Sequence, residues 1–147
     1  MYLDHQIIHF YFIFTGYKFV MDPKKFENAS KHCKEIGGEL ALPTSEESNR
    51  ALVDLAKAGY DLAIKNGAPP LTHFETQIPI WINVLTDKDN KPPGDLVYTN
   101  WKAGGPDGEG NECVRINTIG KKPYLWNTKR CNAEFPYVCQ FRGKIVV

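Results

Sequence analysis

Four cysteines carry the chemistry that bears most directly on the class of this protein: Cys33, Cys113, Cys131 and Cys139. No two of them stand in C-x-x-C spacing and the four histidines are scattered, so the pattern disfavours a zinc site. An even number of cysteines is typical of disulfide-bonded proteins in oxidising compartments. The sequence favours two disulfides and a secreted or extracellular location over four free thiols in a cytosolic protein. Spacing alone leaves the pairing open.

Two loop segments begin ligand-binding motifs that they do not complete. Asp87-Lys88-Asp89 starts like an EF-hand calcium loop, but Pro92 stands where that loop requires glycine and Tyr98 where it requires glutamate. The glycine-rich residues 104–110 are not followed by the Lys-Ser/Thr pair of a phosphate-binding loop. No G-x-S-x-G, H-E-x-x-H or Cys-His arrangement appears, so the sequence predicts a protein that is not an enzyme.

The composition is that of one folded domain. Of 147 residues, 42% are hydrophobic and 24% are charged, which are ordinary globular values. The formal net charge is +1, so the chain lacks the strong positive field of proteins that bind nucleic acid non-specifically. No stretch reaches the roughly 20 consecutive apolar residues of a membrane-spanning helix. The sequence therefore predicts neither a nucleic-acid partner nor a membrane span.

Two helices are predicted in the first half of the chain. Asp22-Pro23 has the residue types of a helix start, and Gly37-Gly38 has those of a helix end. Between them an apolar stripe recurs every three or four residues, formed by Phe26, Ala29, Cys33 and Ile36. A second helix is predicted from a capping box of Thr44 and Glu47, and it ends either at Gly59 or, with residues 60–65 added, before Asn66-Gly67. Its predicted apolar face consists of Ala51, Leu52, Leu55 and Ala56.

Short strands and long loops are predicted for most of the remainder. Strand patterns occupy residues 39–42, 80–85, 95–98, 113–116 and 137–141. Residues 87–94 and 102–111 have no element of their own, and such loops are where binding sites tend to form. The apolar segment from Ile7 to Phe14 lacks the preceding Lys or Arg and the cleavage site of a signal peptide, so a strand is favoured there.

The order of motifs along the chain resembles that of a C-type lectin-like domain. The matching segments are Trp81-Ile82-Asn83-Val84, Tyr98-Thr99-Asn100-Trp101, Gly105-Pro106-Asp107, Asn111-Glu112-Cys113-Val114, Leu125-Trp126-Asn127 and Pro136-Tyr137-Val138-Cys139. The resemblance runs from about Tyr17 to Phe141. It implies an α+β fold of two helices, two small antiparallel sheets and long disulfide-held loops. The expected division is an N-terminal strand or extension at 1–16, the lectin-like domain at 17–142 and a C-terminal tail at 143–147.

The resemblance also implies a disulfide pairing, Cys33 with Cys139 and Cys113 with Cys131. The additional N-terminal cysteine pair of the family's long form is absent, so the chain looks like the short form and is similar to the collectins. The family topology further implies that residues 18–20 pair with residues 137–139. The tail at 144–147 is then expected to run beside part of residues 10–14.

In calcium-dependent members of this family, three motifs hold one Ca²⁺ that binds sugar hydroxyls directly. They are a Glu-Pro-Asn or Gln-Pro-Asp triplet, a glutamate in the following loop and a Trp-Asn-Asp triplet. Gly105-Pro106-Asp107 falls on the first triplet, Asn111 falls where the glutamate is usual, and Thr128 replaces the last aspartate. Because calcium needs several hard oxygen ligands, the losses at Gly105 and Thr128 leave a degenerate calcium site.

The resemblance implies one set of candidate residues for sugar or calcium binding: Asp107, Glu109, Asn111, Glu112 and Asn127. Of these, Asp107, Asn127 and Glu112 are the candidate metal ligands, and a different loop register would let Glu109 and Glu112 rebuild the site. The aspartate after Pro106 implies a preference for galactose-type sugars if calcium is bound.

Two functions stay open at this point. The first is an extracellular recognition module that binds a glycan or glycoprotein, with Ca²⁺ as an uncertain cofactor. The alternative is a calcium-independent lectin-like domain that binds a protein or matrix partner. The changes at Gly105 and Thr128 motivate the alternative, because several members of the family with such changes do not use calcium.

Overall fold

The structure is a computed structural model that describes residues 11–70, 78–120 and 123–146. These residues form two helices and six strands. In chain order they are β1 (Tyr11–Lys25), α1 (Phe26–Glu35), β2 (Glu39–Leu40), α2 (Glu46–Lys65), β3 (Pro79–Leu85), β4 (Cys113–Asn117), β5 (Trp126–Lys129) and β6 (Glu134–Val146). The predicted α+β fold is confirmed.

The strands form a mixed sheet with the order β1-β6-β3-β4-β5, and β2 also pairs with β6. Antiparallel pairing joins β1 and β2 to β6, and it joins β4 to both β3 and β5. One parallel pair, Trp81 with Tyr137, links the two groups, and both side chains are fully buried. The two small antiparallel sheets that the resemblance implies are therefore joined in the core.

The two ends of the described chain run beside each other. Lys18, Phe19 and Val20 pair with Cys139, Val138 and Tyr137, as expected from the family topology. The same pairing continues outward to Tyr11 and Val146. Of the apolar segment at 7–14, residues 7–10 lie outside the described part of the chain. The domain boundaries expected at residues 16 and 142 stay proposals.

The predicted start of the first helix at Asp22-Pro23 is wrong, because both residues lie in β1 and the helix begins at Phe26. The β1–β6 register is interrupted between Val20 and Lys24, and Pro23 lies in that gap, where its missing N–H breaks no ladder bond. Strand pairing thus overrides the local capping signal. The apolar stripe is confirmed at Phe26, Ala29 and Cys33. Ile36 is exposed because it follows the last helical residue.

The second helix begins one residue later than predicted and ends at Lys65, the later of its two predicted ends. Its N-cap is Ser45 rather than Thr44, and the capping partner is Ser48 rather than Glu47. The Ser48 N–H donates to Ser45 Oγ at 3.0 Å, and the Ser45 N–H donates to Ser48 Oγ at 3.0 Å. The helix does not end at Gly59. Instead, a Cβ at Gly59 would lie 2.6 Å from Cδ2 of Phe19, which is too close. The absence of a side chain at Gly59 therefore allows Phe19 of β1 to pack closely against α2.

On the predicted apolar face of α2, Leu52 and Ala56 are buried, Leu55 is half-buried and Ala51 is exposed. Three predicted strands are confirmed within β3, β4 and β6, and the one at 39–42 is shortened to β2. The predicted strand at 95–98 is wrong. There the Tyr98 ring packs edge-on against the Trp126 ring, with 5.9 Å between the ring centroids. Side-chain packing, rather than hydrogen bonding to a neighbouring strand, therefore holds residues 95–98 in place.

Both disulfides that the resemblance implies are present. Cys33 bonds Cys139, which ties α1 to β6, and Cys113 bonds Cys131, which ties β4 to the turn after β5. One buried cluster includes Cys33, Cys139 and Trp81, and a second lies between α2 and the sheet around Trp126. The second cluster supports the strand that carries the candidate site.

Candidate functional site

A cavity of about 340 Å³ lies between the long loop after Trp101 and the edge strand β5. The loop contributes four residues to its wall, and β5 with the turn after it contributes the others. The lining residues are Lys102, Asp107, Gly108, Glu112, Asn127, Thr128, Lys129 and Arg130.

Trp126 fixes β5 in place beside this cavity. Its indole is fully buried, and Nε1 donates to Oδ1 of Asn49 at 2.8 Å. Its backbone N–H donates to the carbonyl oxygen of Asn100 at 2.8 Å, and its own carbonyl oxygen accepts from the N–H of Lys102 at 3.0 Å. The start of the long loop and the strand are therefore held together by backbone hydrogen bonds.

The far end of the loop is held by the segment that follows β3. The Glu112 N–H donates to Oγ1 of Thr86 at 3.0 Å, and the Asn111 N–H donates to the carbonyl oxygen of Asp87 at 2.8 Å. Asp87 Oδ1 accepts the N–H groups of Asp89 and Lys91, each at 2.9 Å. The segment at residues 87–91, which resembles the start of an EF-hand loop, therefore uses the Asp87 carboxylate to stabilise its own turn.

The Asp107 carboxylate has both oxygens engaged. Oδ2 lies 2.8 Å from Nζ of Lys102, and Oδ1 accepts a hydrogen bond from Oγ1 of Thr128 at 3.2 Å. The hydrogen bond from Lys102 is the main cause that holds the pKa of the Asp107 carboxyl below its ordinary value of 3.8. Asp107 is therefore a charged group at neutral pH, with one partner on each oxygen and with 45% of its side chain exposed.

Of the five sequence-predicted site residues, Asp107, Glu112 and Asn127 line the cavity, whereas Glu109 and Asn111 do not. Glu109 is exposed, and its backbone N–H donates to Oε1 of Glu112 at 3.0 Å. Asn111 is also exposed and turns the loop with a φ of 52°. The structure thus uses these two positions to shape the loop.

Sequence reasoning missed the three basic residues of the wall, Lys102, Lys129 and Arg130. Each is adjacent to a motif residue, which was the available signal: Lys102 follows Trp101, and Lys129 and Arg130 lie between Thr128 and Cys131. Two carboxylates, Asp107 and Glu112, line the same cavity as these three cations. The wall therefore carries a small excess of positive charge.

The residues present do not fit the calcium ion that the resemblance implies. Calcium takes six to eight oxygen ligands, and an ammonium group held next to a candidate carboxylate repels the ion. Asp107 is paired with the Lys102 ammonium and with Thr128, while Oε1 of Glu112 accepts the Glu109 N–H. Among the described residues, no three acidic, histidine or cysteine side chains are grouped as metal ligands.

Neither helix of the described chain combines the length and the apolar character needed to cross a membrane.

The sequence model of the family described as lectin C-type domain matches residues 22–141. Pulmonary surfactant-associated protein D of Sus scrofa is 32% identical over 123 residues, which cover 80% of this chain and 28% of that protein. Tetranectin of Mus musculus is 32% identical over 125 residues, covering 81% of this chain and 55% of that protein.

The chain thus spans between 28% and 55% of the length of these two relatives. Among solved structures, the C-type carbohydrate-recognition domain of cow CD23 superposes with a TM-score of 0.62 at 24% identity. The superposition covers 86% of each chain, which shows a shared fold.

Proposed function

The chain belongs to the lectin C-type domain family, and from this premise we propose that it is an extracellular recognition module that binds a glycan or glycoprotein without calcium. The binding surface is the cavity between the long loop and β5. Two disulfides support an extracytoplasmic location, because such bonds persist in oxidising compartments. In this role the domain binds its ligand and does not transform it.

The observation that carries the proposal is the pairing of Lys102 with Asp107 at 2.8 Å. In this arrangement an ammonium group of the chain itself neutralises the carboxylate that follows Pro106. A fixed ammonium needs no ligand shell, and it donates hydrogen bonds to hydroxyl oxygens directly. The proposal therefore assigns to Lys102 the part that a bound cation has in calcium-dependent relatives.

The other polar groups of the wall suit sugar hydroxyls. Glu112 supplies carboxylate oxygens, Asn127 supplies an amide that both donates and accepts, and Lys129 supplies further donors. A volume of about 340 Å³ is within the range of small-ligand sites. Such a cavity has room for part of a saccharide, with the remainder lying along the open rim.

A glycan array with the oxidised chain tests this proposal, once in calcium and once in EDTA. We expect the same set of glycans to bind in both conditions. Asp107→Ala is expected to weaken that binding, because it removes the partner of Lys102. Asp61→Ala is the matched control, since Asp61 is an exposed carboxylate on α2.

Binding that appears only with calcium would contradict the proposal and indicate a rebuilt calcium site. An array without signal in either condition would instead favour the alternative, a protein or matrix partner. A pull-down with extracellular-matrix proteins would then be the next measurement.

A further inference from the structure

We infer that the saccharide bound in this cavity carries an acidic group, a sulfate ester or a carboxylate, and that Lys129 and Arg130 bind it. The inference rests on the proposed function and adds the ligand class. It follows from which charges of the cavity are already paired and which are not.

Of the two carboxylates of the wall, Asp107 forms an ion pair within the described residues, whereas Glu112 forms only a backbone hydrogen bond there. Asp107 is paired with Lys102 at 2.8 Å, and Glu112 Oε1 accepts the Glu109 N–H at 3.0 Å. Lys129 and Arg130 are exposed, and neither forms an ion pair with any residue that the structure describes. Two cations of the cavity wall are therefore available to a ligand.

A third cation lies behind them in the sheet. In the β4–β5 register Cys113 pairs with Lys129 and Arg115 pairs with Asn127, so Arg115 and Lys129 project from the same face as diagonal neighbours. Arg115 is 8% exposed, and its guanidinium lies over the Phe135 ring at 5.2 Å. Within the described residues its buried Nε has no hydrogen-bond partner.

No carboxylate of the described residues forms an ion pair with Arg115, so its positive charge acts on the neighbouring Lys129. The pKa of Lys129 is lowered, chiefly by the charge of Arg115, despite the opposing effects of Asp107 and Glu112. Burial lowers the pKa of Arg115 to about 10, which still leaves it charged at neutral pH. An anion beside Lys129 would relieve this repulsion, whereas a neutral sugar would not.

Sulfate esters and carboxylates share the chemistry that such a site recognises. Both present several oxygens to ammonium and guanidinium donors, and these charge-assisted hydrogen bonds are about twice as strong as neutral ones. Arg130 can bind either group through two parallel N–H donors, and Lys129 acts as a point charge. In this arrangement the acidic group lies against Lys129 and Arg130, and the hydroxyl groups are left to Lys102, Glu112 and Asn127.

Calorimetry of the oxidised chain with three probes tests the inference: lactose, 3′-sialyllactose and 3′-sulfolactose, all in EDTA. All three probes contain lactose: 3′-sulfolactose adds only a sulfate ester, and 3′-sialyllactose adds a sialic acid residue that carries a carboxylate. We expect at least one acidic probe to bind about tenfold or more tightly than lactose, which corresponds to about 1.4 kcal/mol. That difference should shrink as salt is raised.

The double variant Lys129→Gln/Arg130→Gln is expected to lose most of the preference for the acidic probe. Its matched control is Lys57→Gln/Lys65→Gln, which removes two exposed lysines of α2 and so changes the net charge equally. We expect the control to retain the preference. Circular dichroism checks that both variants fold.

Three results would overturn the inference. Equal affinity for lactose and both acidic probes would do so while leaving the proposed function intact. Equal losses in both double variants would show general charge attraction rather than a site. Failure of all three probes to bind would remove the acidic-ligand inference, and a glycan array that is silent as well would remove the proposed function with it.

Discussion

Nε1 of Trp126 donates a hydrogen bond of 2.8 Å to Oδ1 of Asn49, which joins β5 to α2 across 77 residues of sequence. Both residues are buried, and Nδ2 of Asn49 also donates to the carbonyl oxygen of Tyr124 at 3.0 Å. One amide thus satisfies two polar groups next to the strand that forms a wall of the candidate site. Asn127, which lines the candidate site, is the next residue along this strand.

Replacing Asn49 with alanine should destabilise the fold by about 1 to 3 kcal/mol, because the buried indole N–H is left without an acceptor. Urea unfolding measures the difference in free energy. Asn28→Ala is the matched control, since Asn28 is exposed on α1 and should change stability by less than about 0.5 kcal/mol. Equal effects in the two variants would show that the Trp126 contact contributes nothing.

Gly110→Ala should destabilise the loop that presents Asp107 and Glu112. Gly110 has a φ of 104°, and a Cβ there would overlap the carbonyl oxygen of Lys88. We expect a loss of at least about 1 kcal/mol in thermal or urea unfolding. Gly94→Ala is the control, because no described atom lies within 4 Å of a Cβ at Gly94. An unchanged stability of Gly110→Ala would mean that the loop moves freely away from residues 87–88.

The Asp107 carboxyl should titrate below 3.8, because its pKa is held down chiefly by the hydrogen bond from Lys102. A lowered pKa in the folded state means that the ion pair contributes above the unfolded value and is lost as the pH falls through the folded one. Sugar binding should accordingly persist at pH 5 and fall under stronger acid.

NMR of the carboxyl carbon of Asp107 gives this midpoint. It should rise towards 3.8 in Lys102→Gln and stay unchanged in Lys57→Gln, which removes an exposed lysine of α2. The same midpoint in all three proteins would contradict the assigned role of Lys102.

Calcium binding should be created by the triple variant Lys102→Gln/Gly105→Glu/Thr128→Asp. It removes the competing ammonium and restores two carboxylates at the positions where the family has acidic or amide ligands. A Cβ at Gly105 would lie 3.1 Å from the carbonyl oxygen of Lys102, so a small loop shift is required. Calorimetry should detect a Kd of about 1 mM or tighter, the range of extracellular calcium modules.

The control is the variant Gly105→Glu/Thr128→Asp, which keeps Lys102. It should bind calcium more weakly than the triple variant. Equal affinity in the unaltered chain would show that its own residues already form a calcium site. That outcome would contradict the calcium-independent proposal.

Local patterns predicted much of the fold but failed where distant strands compete. The helical stripe at Phe26, Ala29 and Cys33 needed only neighbouring residues to be recognised. The Asp22-Pro23 start failed because β1 resumes its pairing with β6 at Lys24, whose partner Phe135 is more than one hundred residues away in sequence. A capping preference contributes about 1 kcal/mol, less than the sum of several strand hydrogen bonds.

The sequence by itself determined the family, through the order of its motifs and cysteines, and it also showed that a carboxylate or amide ligand is lost at Gly105 and a carboxylate at Thr128. Only the tertiary structure decided which charged groups lie close together around the positions of these lost ligands. The Lys102–Asp107 pair forms because the loop folds back on itself, and Arg115 approaches Lys129 because β4 and β5 pair in one register. Charge interactions depend on distance in space, and residue order does not specify that distance until the backbone path is set.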